Sequence, residues 1–409
     1  MPLVPEGGVE IAALPGKSIF ELNRYARIRP ASESVEPQIL ALSCGQGFDF
    51  ETWVREVQEP LWQRAAAQRM RVVFDATTEG GLFDRQAVKT LLKFLKARGI
   101  GARQTIYLTQ ERGWDADYRT EFDLPPESRI RVMNADYFIR RYFCTLERSG
   151  ADLFALRHER FLARQAHRPH RFISFNYTPR EAKVVFLLQL MRDGLWDKGM
   201  ISFGGLPKDD TVKPMRVREW GQELDALAPY AERLAALGRI VIGEDQDLIA
   251  GSRMPVDDSN LPEHDRTWFS VVTESEMRSR PSRVTEKPCK PLVNFHPLIF
   301  LGNPGALALL REFGFESFSG FFDESYDEEN DPKKRFAMAY NEILALCRAD
   351  ETELARRAAR VSEQLVYNAR RGLTELPRLF RQRFDRDLLN AILDGSGRIE
   401  ASSYAANPA

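Results

Sequence analysis

The sequence has few cysteines, almost no net charge and no phosphate-binding loop of the Gly-x-x-x-x-Gly-Lys type. Its four cysteines are far apart among 409 residues and show no paired spacing, which argues against a disulfide framework or a structural zinc site. With 58 basic and 59 acidic residues, the net charge of −1 gives no field that would attract nucleic acid. Any charged ligand must therefore be bound by a local cluster of side chains and not by the net charge of the molecule.

The sequence also has no long apolar run. Residues 1–30 contain Glu6, Glu10 and Glu21, so we expect neither a signal peptide nor a membrane anchor there. Together with the scattered cysteines, this predicts a cytoplasmic protein. Any lipid-linked substrate would then be met at the inner face of the membrane.

Short apolar segments alternate with helical patterns along most of the chain. A chain of this length fits two domains of about 150–200 residues each. Alternation of this kind predicts α/β domains with parallel sheets and right-handed crossovers. Residues 1–35, rich in Pro, Gly and charge, predict an irregular arm. The predicted strands are 39–43, 70–75, 104–109, 130–133, 172–176, 200–203, 239–243, 269–273 and 298–301, and the main predicted helices are 50–68, 84–98, 137–147, 181–192 and 219–237.

A basic, Pro-containing segment at 164–171 has the composition of an interdomain link. From Asp331 to about residue 394 the pattern is helical, with breaks at Gly372 and Pro377. We therefore place the domains at 1–168 and 169–345, with a helical tail at 346–409. Arginines crowd this tail, and both a solvated face and a peripheral contact with an anionic membrane stay open: Arg370, Arg371, Arg378, Arg381, Arg383 and Arg386.

Residues 283–305 are the most informative segment, because a carboxylate and two lysines precede a buried strand. Thr285-Glu286-Lys287 predicts the start of a short helical turn, whose free N–H groups favour bound phosphate, with Lys287 and Lys290 on one face. The apolar run 297–301 predicts a central strand that ends in a glycine-containing turn. Ligands bind at the carboxyl ends of such strands, so the segment indicates a site for an anionic, hydroxyl-rich ligand such as a nucleotide sugar.

This segment resembles the donor-binding signature of fucosyltransferases and related GT-B glycosyltransferases, in which Thr-Glu-Lys follows Glu-Asn-Ser and precedes a buried strand. The upstream match is Phe269-Ser-Val-Val-Thr-Glu274-Ser275, so the Asn is missing. Two further segments resemble bacterial and viral members of the same group: 172–180 followed by 194–203, and 309–318 with 323–327. The resemblance covers roughly residues 172–340 in matching order. The amino-terminal half has only a fold-level likeness.

The resemblance implies two Rossmann-like domains facing across a cleft, with C-terminal helices packing across both. It implies an inverting, metal-independent transfer from a nucleotide sugar, with a GDP-sugar such as GDP-fucose favoured, and no further cofactor. The expected acceptor is a glycan or a lipid-linked oligosaccharide of bacterial surface polysaccharide or glycoconjugate synthesis. A non-catalytic scaffold of glycan assembly and a phosphoribosyl- or phosphotransferase stay open as alternatives.

Each chemical task of such a transfer has a candidate residue. Glu79 follows a buried strand and precedes two glycines, so we propose it as the general base facing the acceptor, with Asp75 in reserve. Arg180 and Lys287 would hold the pyrophosphate as it departs. Glu286 would accept hydrogen bonds from donor hydroxyls or stabilise positive charge near the anomeric carbon. The remaining donor-binding candidates are Asn176, Glu274, Ser275, Thr285 and Lys290.

Two other motifs point elsewhere. Asp115-Ala-Asp117 and Asp245-Gln-Asp247 fit the Asp-x-Asp pattern by which transferases of the other common fold hold a divalent ion. A pattern this short recurs by chance, and the two-sheet layout favours the metal-free mechanism. Cys289 lies between two prolines without a neighbouring His, which predicts a packed thiol and no nucleophile.

Overall fold

The computed structural model divides the chain into two compact units. The first contains 1–144, 281–284 and 376–409, and the second contains 145–280 and 285–375. The structure describes residues 8–14, 26–34, 36–44, 48–78, 83–147, 152–164, 167–206, 219–242, 261–278, 283–380 and 384–394.

The first unit is built on a six-stranded parallel sheet with strand order β2-β1-β3-β4-β5-β6. Its strands are β1 (Val9–Ala13), β2 (Ala26–Pro30), β3 (Ile39–Ser43), β4 (Arg71–Asp75), β5 (Thr105–Thr109) and β6 (Arg131–Asn134). The predicted irregular arm at 1–35 is wrong, because β1 and β2 pair in parallel within it. β2 is an edge strand whose residues are mostly exposed, so no continuous apolar run marked it in the sequence.

Helices of the first unit cover a core in which Trp53, Trp62 and Phe74 are buried. The helix predicted over 50–68 is two helices, because Gln58 is extended and a proline begins the second. The helices up to the unit boundary are α1 (Phe50–Glu56), α2 (Glu59–Ala66), α3 (Arg85–Ala97), α4 (Trp114–Glu121) and α5 (Tyr137–Glu147), with 3₁₀ turns at Ala102–Gln104 and Pro126–Ser128.

The second unit is built on a four-stranded parallel sheet with strand order β10-β9-β7-β8. Its strands are β7 (Phe172–Asn176), β8 (Gly199–Phe203), β9 (Phe269–Thr273) and β10 (Leu298–Leu301). Of the strand predicted at 239–243, the described residues form only an isolated antiparallel bridge between Ile240 and Phe203. The two parallel sheets confirm the predicted α/β class.

Most of the helical content follows or flanks this second sheet. The helix predicted over 219–237 divides at Leu227, just before a proline. The helices are α6 (Leu153–Leu162), α7 (Glu181–Arg192), α8 (Gly221–Ala226), α9 (Ala228–Leu237), α10 (Leu261–Asp265), α11 (Cys289–Val293), α12 (Ala306–Glu312), α13 (Pro332–Arg348), α14 (Glu351–Arg360) and α15 (Ser362–Arg370), with 3₁₀ turns at Trp196–Lys198 and Ser325–Glu328.

The helical tail continues through Gly372, where a break was predicted, as a π-helical turn over Arg371–Glu375. Arg371 is buried there and donates to the carbonyl of Phe313 at 2.9 Å and to Glu375 at 2.8 Å. This arginine is therefore neither a solvated nor a membrane-facing side chain. The chain then returns to the first unit as α16 (Leu376–Leu379) and α17 (Asp385–Asp394).

No helix in the described part of the chain is long and apolar enough to cross a membrane.

Candidate functional site

The second sheet has a topological switch point between β7 and β9. The chain adds β8 on one side of β7, then returns to add β9 and β10 on the other. Open parallel sheets bind their ligands outside the carboxyl ends of the strands at such a point. Here β7 ends at Asn176, and Glu274 directly follows β9.

Glu274 is the centre of a compact polar cluster at this edge of the sheet. Glu274 is only 5% exposed. Lys287 donates from Nζ to Glu274 Oε2 at 2.9 Å, and the hydroxyl of Thr285 donates to Oε1. The backbone N–H of Thr285 also reaches Oε1, at 3.3 Å, and Lys287 Nζ lies 3.0 Å from Thr285 Oγ1. The Glu of one motif therefore holds the Thr and Lys of the other.

Two opposing effects act on the pKa of the Glu274 carboxyl. Burial raises this pKa. The charge of Lys287 and the hydrogen bonds from Thr285 and Lys287 lower it by a larger amount, and Lys183 adds a smaller contribution in the same direction. The net result is a pKa below the usual value, so Glu274 is a carboxylate at neutral pH. A buried, charged Glu274 fixes the ammonium of Lys287 in position.

The Thr285-Glu286-Lys287 motif lies in a turn ahead of α11, which begins only at Cys289. The predicted helical start at Thr285 is therefore wrong. The helix begins after Pro288, its N-cap residue, and is a single turn. Glu286 is partly exposed, with its carboxylate 3.8 Å from Lys287 Nζ. Lys290, on α11, places its ammonium 4.4 Å from the ring centre of Phe175.

Cys289 is completely buried at the start of α11. Burial, followed by the charges of Glu286 and Glu274, raises the pKa of its thiol well above the usual value. This agrees with a packed thiol and not with a nucleophile.

The amino terminus of α7 supplies the other cations of the site. Arg180 is the exposed N-cap residue of α7 and has an extended backbone. No side chain caps the helix start, and N–H groups of a first turn are free to bind an anion. Lys183, in this first turn, is 4% exposed, and the charges of Lys287, Arg180, Glu274 and Glu286 all act on it.

Lys183 was missed in the sequence, although a signal was present. It lies at helical spacing from Phe186, Leu187 and Leu190, which are all fully buried. A lysine at a position that the helical period assigns to the buried face is unusual. Burial, and then the charge of Lys287, lowers its pKa from 10.5 to about 8.

Two predicted donor-binding residues have other surroundings. Asn176 is fully buried; its amide donates to Ser174 Oγ at 3.0 Å and accepts from Thr273 Oγ1 at 2.8 Å. It joins neighbouring strands beneath the site, which supports the positions of Glu274 and the α7 turn. Ser275 is exposed next to Glu274, and its N–H donates to Glu274 Oε2 at 3.2 Å.

The predicted general base, Glu79, lies outside the described residues. Asp75, its reserve, ends β4 in the first unit and is fully buried, with the Thr77 N–H donating to Oδ1 at 3.0 Å. Asp115 of the first Asp-x-Asp motif pairs with Arg119 at 2.7 Å in α4. Asp245 and Asp247 lie outside the described residues. Within the described residues, the structure contains no group of three His, Cys, Asp or Glu side chains that could hold a metal ion.

Comparison of the chain with protein-family models and with curated proteins finds no match.

Proposed function

We propose that this chain is a GT-B-type glycosyltransferase that binds a nucleoside diphosphate sugar in its second unit and transfers the sugar to a glycan acceptor. The observation that carries the proposal is the Glu274–Thr285–Lys287 cluster at the switch point of a parallel sheet, next to the uncapped start of α7. GDP-sugars such as GDP-fucose are the first candidates for the donor, on the resemblance of this motif to fucosyltransferases. Inversion at the anomeric carbon is part of the same proposal.

The chemistry requires that charge on the departing diphosphate be neutralised. Lys287 is a fixed point charge for this purpose, because Glu274 and Thr285 hold its ammonium. Arg180, exposed at the start of α7, adds a guanidinium that can bind two phosphate oxygens at once. Two such cations would let the leaving group depart without a metal ion.

Glu286 supplies a carboxylate beside Lys287 and is partly exposed, with 32% of its side chain accessible. It can accept hydrogen bonds from hydroxyls of the donor sugar or stabilise positive charge near the anomeric carbon. Glu274 has a different task, since its oxygens already accept from Thr285 and Lys287. Glu286 is therefore the carboxylate that contacts the ligand, and Glu274 is the carboxylate that holds Thr285 and Lys287 in position.

A transfer assay with GDP-, UDP- and CMP-sugars in the presence of EDTA tests the proposal. We expect release of the nucleotide from one diphosphate sugar, with activity reduced at least ~100-fold in Lys287→Met. Lys198→Met is the matched control, because Lys198 is an exposed lysine of the same unit. Absence of turnover and of nucleotide binding with every donor would refute the proposal; binding without turnover would favour a scaffold of glycan assembly.

The role of Glu79 as general base is tested separately. Glu79→Gln removes the proton acceptor while keeping the size of the side chain. We expect turnover to fall at least ~100-fold with unchanged affinity for the nucleotide. A Glu79→Gln enzyme with near wild-type turnover would exclude Glu79 and leave the base unassigned.

A further inference from the structure

Lys183 is a buried cation in the first turn of α7. Lys183 is 4% exposed, yet its ammonium has no hydrogen bond or ion pair to any of the described residues. Burying an ammonium costs free energy unless an anion or hydrogen-bond acceptors compensate. The carboxylate that could serve this purpose, Glu274, is held by Lys287 instead.

The groups around Lys183 come from three parts of the second unit. Arg180 lies on its own helix, Glu274 at the end of β9, and Lys287 and Glu286 in the turn before α11. With Lys183 itself, three cations face two carboxylates, so the net charge of this cluster is positive. The free N–H groups at the start of α7 add to it.

We propose that Lys183 is a diphosphate-binding residue, whose ammonium contacts a phosphate oxygen of the bound ligand at the start of α7. This deepens the proposed function and rests on it in naming a nucleoside diphosphate as the ligand. Lys183 and Lys287 then approach the diphosphate from two sides of the switch point. The site therefore selects diphosphate donors over nucleoside monophosphate sugars, which carry one negative charge fewer.

A structural lysine would behave differently from a ligand-binding one. A lysine kept for packing needs its hydrocarbon stem, which methionine replaces at similar volume. A lysine kept for an anion needs its charge. Lys183→Met therefore separates the two roles, and Lys183→Gln provides a second variant that keeps a polar end.

The experiment is calorimetric titration of the full chain with inorganic pyrophosphate and, separately, with GDP and GMP, in EDTA at about pH 7. We expect wild type to bind pyrophosphate and GDP, and Lys183→Met and Lys183→Gln to bind both at least ~10-fold more weakly. Lys198→Met should match wild type. The preference for GDP over GMP should shrink in the Lys183 variants. Circular dichroism verifies that each variant is folded.

The outcomes distinguish this inference from the proposed function. GDP binding that is equal in wild type and in both Lys183 variants would overturn the role of Lys183 and leave the proposed function standing. Lys183-dependent binding of pyrophosphate without any nucleotide binding would overturn the nucleotide-sugar function but keep the anion site. Absence of binding to all three probes would overturn both.

Discussion

Burial opposes the charge of Lys183, so this residue lowers the stability of the unliganded protein. A lysine whose pKa falls from 10.5 to about 8 destabilises the folded state by roughly 3 kcal/mol when both states are protonated. The sign follows from linkage: the cost is complete below about pH 8 and is relieved as the pH rises towards the unfolded value. The buried charge of Lys183 thus destabilises the unliganded protein, and a bound anion would offset this cost.

We predict that Lys183→Met raises the free energy of unfolding at about pH 7 by roughly 1–3 kcal/mol, because it removes the buried charge and keeps the packing. The gain over wild type should shrink as the pH approaches about 10. Urea unfolding of the unliganded protein at both pH values measures this. A variant less stable than wild type at neutral pH would show that the ammonium has a stabilising partner.

Lys287 has the opposite effect on stability, because it compensates the buried charge of Glu274. Removing one partner of a buried pair leaves the charge of the other uncompensated. Because Lys287 is 28% exposed, solvent screening lowers the usual cost to about 2 kcal/mol. Lys287→Met should therefore destabilise the protein by this amount at about pH 7 and raise the pKa of Glu274.

The pH dependence of this deficit has a defined sign. The Glu274 carboxylate, with its lowered pKa, contributes stability above its unfolded pKa and loses it as the pH falls through the folded pKa. The deficit of Lys287→Met should shrink as the pH falls into the acid range, because Glu274 becomes protonated and no longer needs the ammonium. In Glu274→Gln, the further change Lys287→Met should cost little. If Lys287→Met lost the same stability at every pH and also in the Glu274→Gln background, the Glu274–Lys287 ion pair would not be the source of that stability.

The residues of the site were predictable to different degrees. The sequence motifs predict Glu274, Thr285 and Lys287 as site residues, and the structure brings these three together. Their contacts could not be predicted from the sequence, since the order of the strands in the sheet determines which segments lie side by side. Lys183 was missed because a lysine is normally assigned to the solvated side of a helix. Asn176 shows the converse: a polar residue at a strand end that bonds within the sheet.

The turn from β7 into α7 depends on close packing against the end of β8. At Gly204, which follows β8, an added Cβ would lie 1.8 Å from the carbonyl oxygen of Tyr177. Backbone cannot move aside as a side chain can, so only glycine fits there. This contact positions the segment that leads to Arg180.

We predict that Gly204→Ala lowers stability by roughly 2 kcal/mol or more and weakens nucleotide binding, because the β7–α7 turn must shift. Thermal unfolding and GDP titration measure the two effects. Gly101→Ala is the control, since its added Cβ would lie 3.7 Å from Gln104 Oε1, an ordinary van der Waals contact. Equal stability of Gly204→Ala and wild type would show that the turn is more adaptable than this contact indicates.

Buried strands were predictable as elements, because their apolar runs exceed what a surface segment carries. Strands β3, β7 and β9 have the predicted bounds, and α5 and α7 do as well. The edge strand β2 was not predictable, since its exposed residues carry no such run. Prolines divided two predicted helices, which a stricter reading of Pro60 and Pro229 would have indicated.

The first unit takes its chain from both ends of the sequence, which local patterns cannot reveal. Its C-terminal helix α17 is attached through a buried ion pair, in which Arg140 Nε donates to Asp385 Oδ1 at 2.7 Å. The side chains are 1% and 2% exposed. These two residues are distant in sequence, so only the folded structure shows their relation.

We predict that Asp385→Ala destabilises the first unit by about 3–5 kcal/mol, because it leaves the buried Arg140 without this carboxylate. Hydrogen exchange should speed up in β3 and β4, while β7 and β9 exchange at the wild-type rate. Asp387→Ala, on the same helix, removes a carboxylate that is 40% exposed and should cost at most about 1 kcal/mol. Similar effects of the two substitutions would contradict a specific role for the buried pair.

A crystal structure of the protein with bound GDP is the most direct measurement. Both phosphates should lie at the carboxyl ends of β7 and β9, with oxygens within hydrogen-bonding distance of Lys287 Nζ and of Lys183 Nζ. Density for the nucleotide away from the switch point, with both lysines arranged as in the unliganded protein, would contradict the proposed site.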